Sequence, residues 1–384
     1  MTRAGKTGRF RASKAGRDLD KSNQNRELRM SEIKFGVYCE MQTAPDKNHA
    51  ELTWEAFRLI EQADQLGYDV FALIEHHAFQ TFGISANPLA LFSAAAQRTK
   101  NIRFRTMCNT LPLHNPVVLA GEIAEADILT GGRLDIGVGR GHAWLYPKLG
   151  IPMAESGGRF RDGLEILPLA WTEESFSFDG EFYHLKDVSV VPKPLQQPHP
   201  PIFMTGTSGQ GFKDAARKGW NICCGGPAPL AVFLDSIKTY RDACKEHNTQ
   251  PYLTYVRAVF LADDEATAHK EAKDSIMKFY DFNVRPHDSL QNNEALTKEM
   301  VDAGYGFYAS DMLQQMKKFS YDDLIDQDMV YVGTPAQVTR KLQDLHSQIE
   351  FDEFDIVSHY GDIDLHKAYR NQEMFAKQVM PAFR

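Results

Sequence analysis

No run of this 384-residue sequence is apolar for long enough to span a bilayer, so a membrane partner is not expected. Metal-ligand spacing is missing too: neither CxxC nor HExxH occurs, and no metal is expected. Cysteine is scarce, five in all with only Cys223 and Cys224 adjacent. That excludes a disulfide framework and points to reduced thiols in the cytoplasm. Excess positive charge is absent as well, the formal net charge being -8. Such a surface repels a polyphosphate backbone and argues against nucleic acid. A dinucleotide fingerprint is also lacking, because the glycines of GVGRG do not have GxGxxG spacing.

The first thirty residues are basic and polar and contain no apolar run, which excludes a secretory signal. They read as a disordered tail or an over-extended start with Met30 as an alternative initiator; an organelle-targeting leader is the competing reading. The remainder, 31–384, reads as one domain. Its composition, 43% apolar and 24% charged, suffices for a sizeable core.

From Ile33 onward, strand-like runs alternate with helix-like stretches, the pattern of a parallel sheet with crossover helices. Eight candidate strands are IKFGVYCEM, DVFALIEHH, IRFRTMCNTLPL, LDIGVGRG, PPIFMTG, WNICCGG, PYLTYVRAVFLA and FDEFDIVSHYG. Eight such units predict a (β/α)8 TIM barrel in preference to an open doubly wound sheet. The alternation around Asp179-Gly180 predicts a β-hairpin excursion after the fourth unit. Between Phe282 and Met329 no period is evident, which predicts a long lid or insertion before the last strand. Thr334 and Pro335 then start a helix as cap and first residue.

In such barrels reacting groups sit where strands end, so the polar residues just past each strand are the candidates. Strand two ends in Glu75, His76 and His77, and an imidazole can move protons near neutral pH. Strand three ends in Met107, Cys108 and Asn109, followed by His114-Asn115-Pro116. Arg140, between glycines at the end of strand four, can reach an anion. After strand five, Gly206, Thr207 and Ser208 precede a helix whose first amides form a ready phosphate site. Taken alone, each of these reads equally well as capping, packing or turn chemistry.

Together, however, the segments KFGVY, GYDVFALIEHH, LPL followed by HNP, TGGRLDIGVGRG, QPHPPIFM, VGTPAQV and FAKQVMPAF resemble the bacterial luciferase-like flavin monooxygenases over nearly all of 33–384. The resemblance implies reduced FMN at the carboxyl ends of the strands, supplied by a separate NAD(P)H-dependent flavin reductase. Molecular oxygen would then form a peroxyflavin that oxidises a small-molecule substrate, and a homodimer is implied. By motif position His76 corresponds to the family's catalytic histidine, with His77 its neighbour, and Arg140 to the arginine that meets the phosphate. Thr207 matches a phosphate-contacting serine flanked by Gly206 and Ser208. Met107, Cys108 and Asn109 fall on a bulge that often contains a non-prolyl cis peptide beneath the flavin ring. Two departures stand out: Gly139 replaces luciferase's reactive cysteine, and Gly206 replaces a glutamate. Light emission from a long aldehyde is therefore not implied. A deazaflavin-dependent hydride-transferring enzyme and a non-catalytic flavin-binding protein are the alternatives on the same scaffold.

Overall fold

A strand buried on both faces needs no polar alternation, and β10 (Leu253–Leu261) shows the consequence: all nine of its residues are buried. The computed structural model describes residues 33–42, 47–79, 81–206, 208–287, 294–310 and 315–384, so the tail read at 1–30 lies outside the described residues. In chain order the other strands are β1 (Lys34–Cys39), β2 (Val70–Leu73), β3 (Arg103–Thr106), the two-residue β4 (Asn109–Thr110), β5 (Leu134–Gly139), β6 (Phe176–Asp179) and β7 (His184–Val188). They continue with β8 (Ile202–Thr205), β9 (Asn221–Gly225), β11 (Val330–Gly333) and β12 (Glu353–His359).

Eight of these close a parallel barrel in the order β1-β2-β3-β5-β8-β9-β10-β12, with β12 paired back to β1. They are the eight runs expected from the sequence, and the closed (β/α)8 TIM barrel is the architecture. Helices packed outside cover the sheet: His49–Leu66, Pro88–Ala95 and Pro116–Leu129 follow β1, β2 and β4 in turn, the last with Pro116 in its first turn and Asn115 capping it. The excursion after the fourth unit is the antiparallel hairpin β6–β7, with Asp179 opposite His184.

Inside the barrel, towards its amino-terminal end, Arg105 is 1% exposed and pairs with Glu353 and, at 3.1 Å, with Asp135. Its guanidinium lies 3.7 Å from the Phe203 ring centroid. A cavity of about 650 Å³ opens beside this network. That end of a barrel carries stability, whereas reacting groups gather at the other.

The segment before the last strand departs from expectation. The helix Glu265–Val284 runs past Phe282, and the short helices Glu294–Asp302 and Tyr321–Asp326 follow. Met300, Tyr305, Met316, Leu324 and Met329 are buried against the main core, so the Met- and Tyr-rich composition serves packing. Then β11, absent from the sequence reading, pairs Ala258–Leu261 of β10 while Thr254–Ala258 pairs β12. The physical reason is the length of β10: its outer half extends beyond β12 and needs a second partner for its amides. The helix after β11 begins as expected, with Thr334 and Gln337 forming a reciprocal capping box and Pro335 in the first turn. No described helix is long and apolar enough to cross a membrane.

Candidate active site

The carboxyl ends of β1, β2, β3, β5 and β8 bring most of the sequence candidates to one end of the barrel. His76 leaves β2 with its backbone N–H donating to the Ser85 carbonyl at 2.8 Å. Its ring is 2% exposed and packs on Phe82 and Trp144, at centroid distances of 4.4 and 5.0 Å. Neither ring nitrogen has a hydrogen-bond partner of normal geometry among the described residues, although the Phe79 backbone lies near enough to favour the proton slightly. Burial, followed by the nearby His142 and His77, pushes its pKa down to about 3. A buried, neutral imidazole with both nitrogens unspent can donate through one and accept through the other. His77 points elsewhere, its Nε2 lying 2.7 Å from Glu75 Oε1.

Past β3 the peptide Met107–Cys108 is cis, as the resemblance implied for this bulge. Met107 Sδ lies 3.5 Å from the Cys223 thiol, and Asn109 donates to Glu75 at 3.3 Å while its own Oδ1 is buried without a partner among the described residues. Gly139 explains one departure sterically. A Cβ there would fall 2.3 Å from Cys108 Sγ and 2.7 Å from Thr205 Oγ1, so Cys108 occupies the space a cysteine at 139 would need. Burial pushes the Cys108 thiol up to about 12, which leaves it a weak nucleophile.

Arg140 is half-buried. Its Nη2 donates to Ser156 Oγ at 2.7 Å and to the Ala303 carbonyl at 2.6 Å, and the guanidinium lies 4.2 Å from the Tyr305 ring centroid. Its Nε is buried with no hydrogen-bond partner among the described residues. The guanidinium is therefore held by Ser156 and by the segment before the last strand, contacts invisible in the sequence. At the end of the neighbouring strand β8, Gly206 has φ 137°, a conformation suited to glycine, and a Cβ there would meet nothing within 4 Å. Ser208 caps the Gly209–Lys218 helix, its Oγ accepting from Gly211 N–H at 3.4 Å. Thr207 lies outside the described residues.

Several groups here escaped the sequence reading. Phe79, Phe82, His142 and Trp144 complete the aromatic wall around His76, with His142 stacked on Trp144 at 5.1 Å and its pKa lowered to about 4 by burial. His142 and Trp144 directly after GVGRG were the available signal. Glu40, just past β1, is 4% exposed and accepts from Gln42 at 2.8 Å, Asn283 at 3.2 Å and the Tyr38 hydroxyl at 3.3 Å. Burial raises its pKa to about 7, with the hydrogen bonds from Asn283, Tyr38 and Gln42 only partly opposing.

That shift has a sign. A carboxyl whose folded pKa lies above its usual 4.5 stabilises the fold fully below about pH 4.5 and loses that contribution as pH rises to about 7. The loss amounts to roughly 3 kcal/mol. Glu40→Gln keeps the acceptor facing Gln42 and Asn283 and stays neutral. The variant is expected to be more stable than the parent at pH 8 by up to roughly that amount, with the gap shrinking towards pH 4.5. Urea unfolding at both pH values tests this; a gap independent of pH would refute it.

A protein-family model described as luciferase-like monooxygenase matches residues 33–349. The chain belongs to the luciferase-like monooxygenases. Among curated proteins, it is 25% identical to the oxygenase component of the flavin-dependent trigonelline monooxygenase of Acinetobacter baylyi, covering 91% of this chain and 96% of that one. The luciferase-like barrel also superposes on the oxygenating constituent of 3,6-diketocamphane monooxygenase from Pseudomonas putida, solved with FMN, at TM-score 0.75 and 22% identity, covering 92% and 99% of the two chains. The coenzyme F420-dependent tetrahydromethanopterin reductase of Methanopyrus kandleri has the same fold, with TM-score 0.68, 17% identity and coverage of 92% and 100%. The same fold thus occurs in proteins named for oxygen chemistry and for deazaflavin chemistry.

Proposed function

We propose that residues 31–384 form one barrel domain that uses reduced FMN and molecular oxygen to oxidise a small organic substrate. The carrying observation is His76: a buried imidazole at the end of β2 whose two nitrogens have no hydrogen-bond partner of normal geometry among the described residues. The residues present fit a flavin mononucleotide. Arg140 and the amides at the start of the Gly209–Lys218 helix suit a phosphate, and Asn109 Oδ1 is a buried acceptor without a donor among the described residues. When bound, reduced FMN supplies the electrons that activate dioxygen.

The chain's own residues do the rest. His76, neutral because it is buried, holds or delivers a proton at one ring nitrogen and accepts at the other. Phe79, Phe82, His142 and Trp144 wall off water, which matters because activated oxygen is wasted as peroxide in a wet site. Arg140 orients the cofactor through its phosphate, leaving the aromatic end for the substrate. Reduced flavin comes from a separate reductase, and the protein works in the cytoplasm.

The same scaffold carries a second reading, hydride transfer from a reduced deazaflavin without oxygen, favoured by the fold shared with the F420-dependent reductase. Oxygen uptake separates the two. Protein mixed anaerobically with reduced FMN and then pulsed with oxygen is expected to bind the flavin and to consume oxygen in step with substrate oxidation. Substrate turnover with reduced F420 and no oxygen uptake would reject the monooxygenase.

The chain further acts as a homodimer. Val118, Ile128 and Leu129 on the Pro116–Leu129 helix are 58%, 45% and 48% exposed, apolar side chains that a second copy would cover on a face they share with the exposed Glu122 and Glu125. Light scattering is expected to give twice the chain mass; a single-chain mass would contradict it.

A further inference from the structure

Behind the bulge stands a carboxylate to which the proposed chemistry gives no part. Glu75 is 3% exposed, and donors from two strand ends and a turn converge on it. Its Oε1 lies 2.7 Å from Nε2 of His77 and 2.7 Å from Nε2 of His114. Its Oε2 accepts from the Thr110 backbone N–H at 3.0 Å and from the Asn109 amide at 3.3 Å. Burial alone would favour the acid form, but the hydrogen bonds from His114 and His77, the charge of His114 and the Thr110 N–H hold its pKa at about 2. An ionised carboxylate only accepts, so both rings must present N–H at Nε2.

The other groups around this carboxylate are few. Cys108 and His76 lie within reach of its charge. Glu122, on the Pro116–Leu129 helix, acts on His114 from the far side, and the Tyr183 hydroxyl donates to the His114 carbonyl at 3.1 Å. Burial would lower the pKa of His114; the hydrogen bond and charge of Glu75, with Glu122 behind, raise it instead.

Resting on the function proposed above, we propose that Glu75 is the positioning residue of this site: one carboxylate locks the bulge of Met107, Cys108 and Asn109 against the strand end that presents His76. The argument is geometric. His76 is the next residue in the chain, and Asn109 and Thr110 have their side-chain amide and backbone N–H on Glu75. Without the carboxylate the Thr110 N–H and the Asn109 amide lose their acceptor together, and the bulge is free to move relative to the imidazole. Misplacement of about 1 Å in a reacting constellation costs on the order of 10²-fold in rate.

Glu75→Ala is therefore expected to lower kcat by about 10²-fold while KM and FMN affinity each change less than about three-fold. Glu75→Gln separates positioning from bulk. Its amide oxygen can accept from Thr110 and Asn109, but its amide N–H groups suit His114 only when that ring is neutral and can accept. Gln is expected to restore most of kcat at pH 8 and little at pH 5.5, relative to wild type at each pH. A role confined to packing would leave that ratio unchanged. Either an unchanged ratio or an alanine variant retaining kcat within three-fold would overturn the assignment, and the glutamine variant decides alone if the alanine variant does not fold. Hydrogen exchange at the Thr110 amide, measured without flavin, is expected to speed up in the glutamine variant at pH 5.5 and to stay slow at pH 8. Wild-type protein inert with reduced FMN and oxygen would refute the functional reading instead, and Thr110 exchange would still decide whether Glu75 holds the bulge.

Discussion

Replacing His76 with alanine is expected to slow substrate oxidation by about 10²- to 10⁴-fold, the range over which a positioned acid or base contributes. FMN affinity should change by less than about ten-fold, because the proposed cofactor anchors lie on β5 and β8 while His76 leaves β2. The ring is held by Phe82 and Trp144, and its low pKa keeps it neutral throughout the range in which the protein would be assayed. The acid limb of a pH–rate profile is therefore not expected to report His76 in the free protein. His76→Asn, which retains a donor and an acceptor on a smaller frame, is expected to recover part of the rate. Single-turnover oxidation and flavin titration on the same variants check this. Losses equal in rate and in affinity would mean that His76 merely supports the pocket.

The second large effect belongs to Arg140. A hydrogen bond to a charged group contributes about 1.5–3 kcal/mol, so Arg140→Ala is expected to weaken FMN binding about 10- to 150-fold. Arg140→Lys should recover only part, since a single ammonium cannot reproduce the planar fork that meets a phosphate on two oxygens. The structure adds a consequence. Arg140 also donates to the Ala303 carbonyl and underlies the Tyr305 ring, so its loss loosens the segment that follows. Limited proteolysis near 303–310 is expected to speed up in the alanine variant. Unchanged flavin affinity would remove Arg140 from the cofactor site.

Much of this was legible in the sequence because burial leaves a simple trace. Strands covered on both faces read as apolar runs, and β1, β2, β5 and β10 are each almost wholly buried. Candidate groups at their ends, His76, Met107, Cys108, Asn109, Arg140 and Gly206, followed from where the runs stop. Relations among distant residues left no such trace. His114 reaches Glu75 from 39 positions away, Ala303 reaches Arg140 from 163, and Asn283 reaches Glu40 from 243. Strand β11 was hidden for the same reason: VYVG is too short to stand out, and only the overlong β10 makes it a strand.

A crystal structure with bound FMN tests the central claim most directly. The expected result is a phosphate within hydrogen-bond reach of the Arg140 guanidinium, with the isoalloxazine against the Met107–Cys108 bulge and within reach of His76. Flavin bound instead in the cavity at the amino-terminal end, beside Arg105 and Glu353, or anywhere away from Arg140, would contradict it.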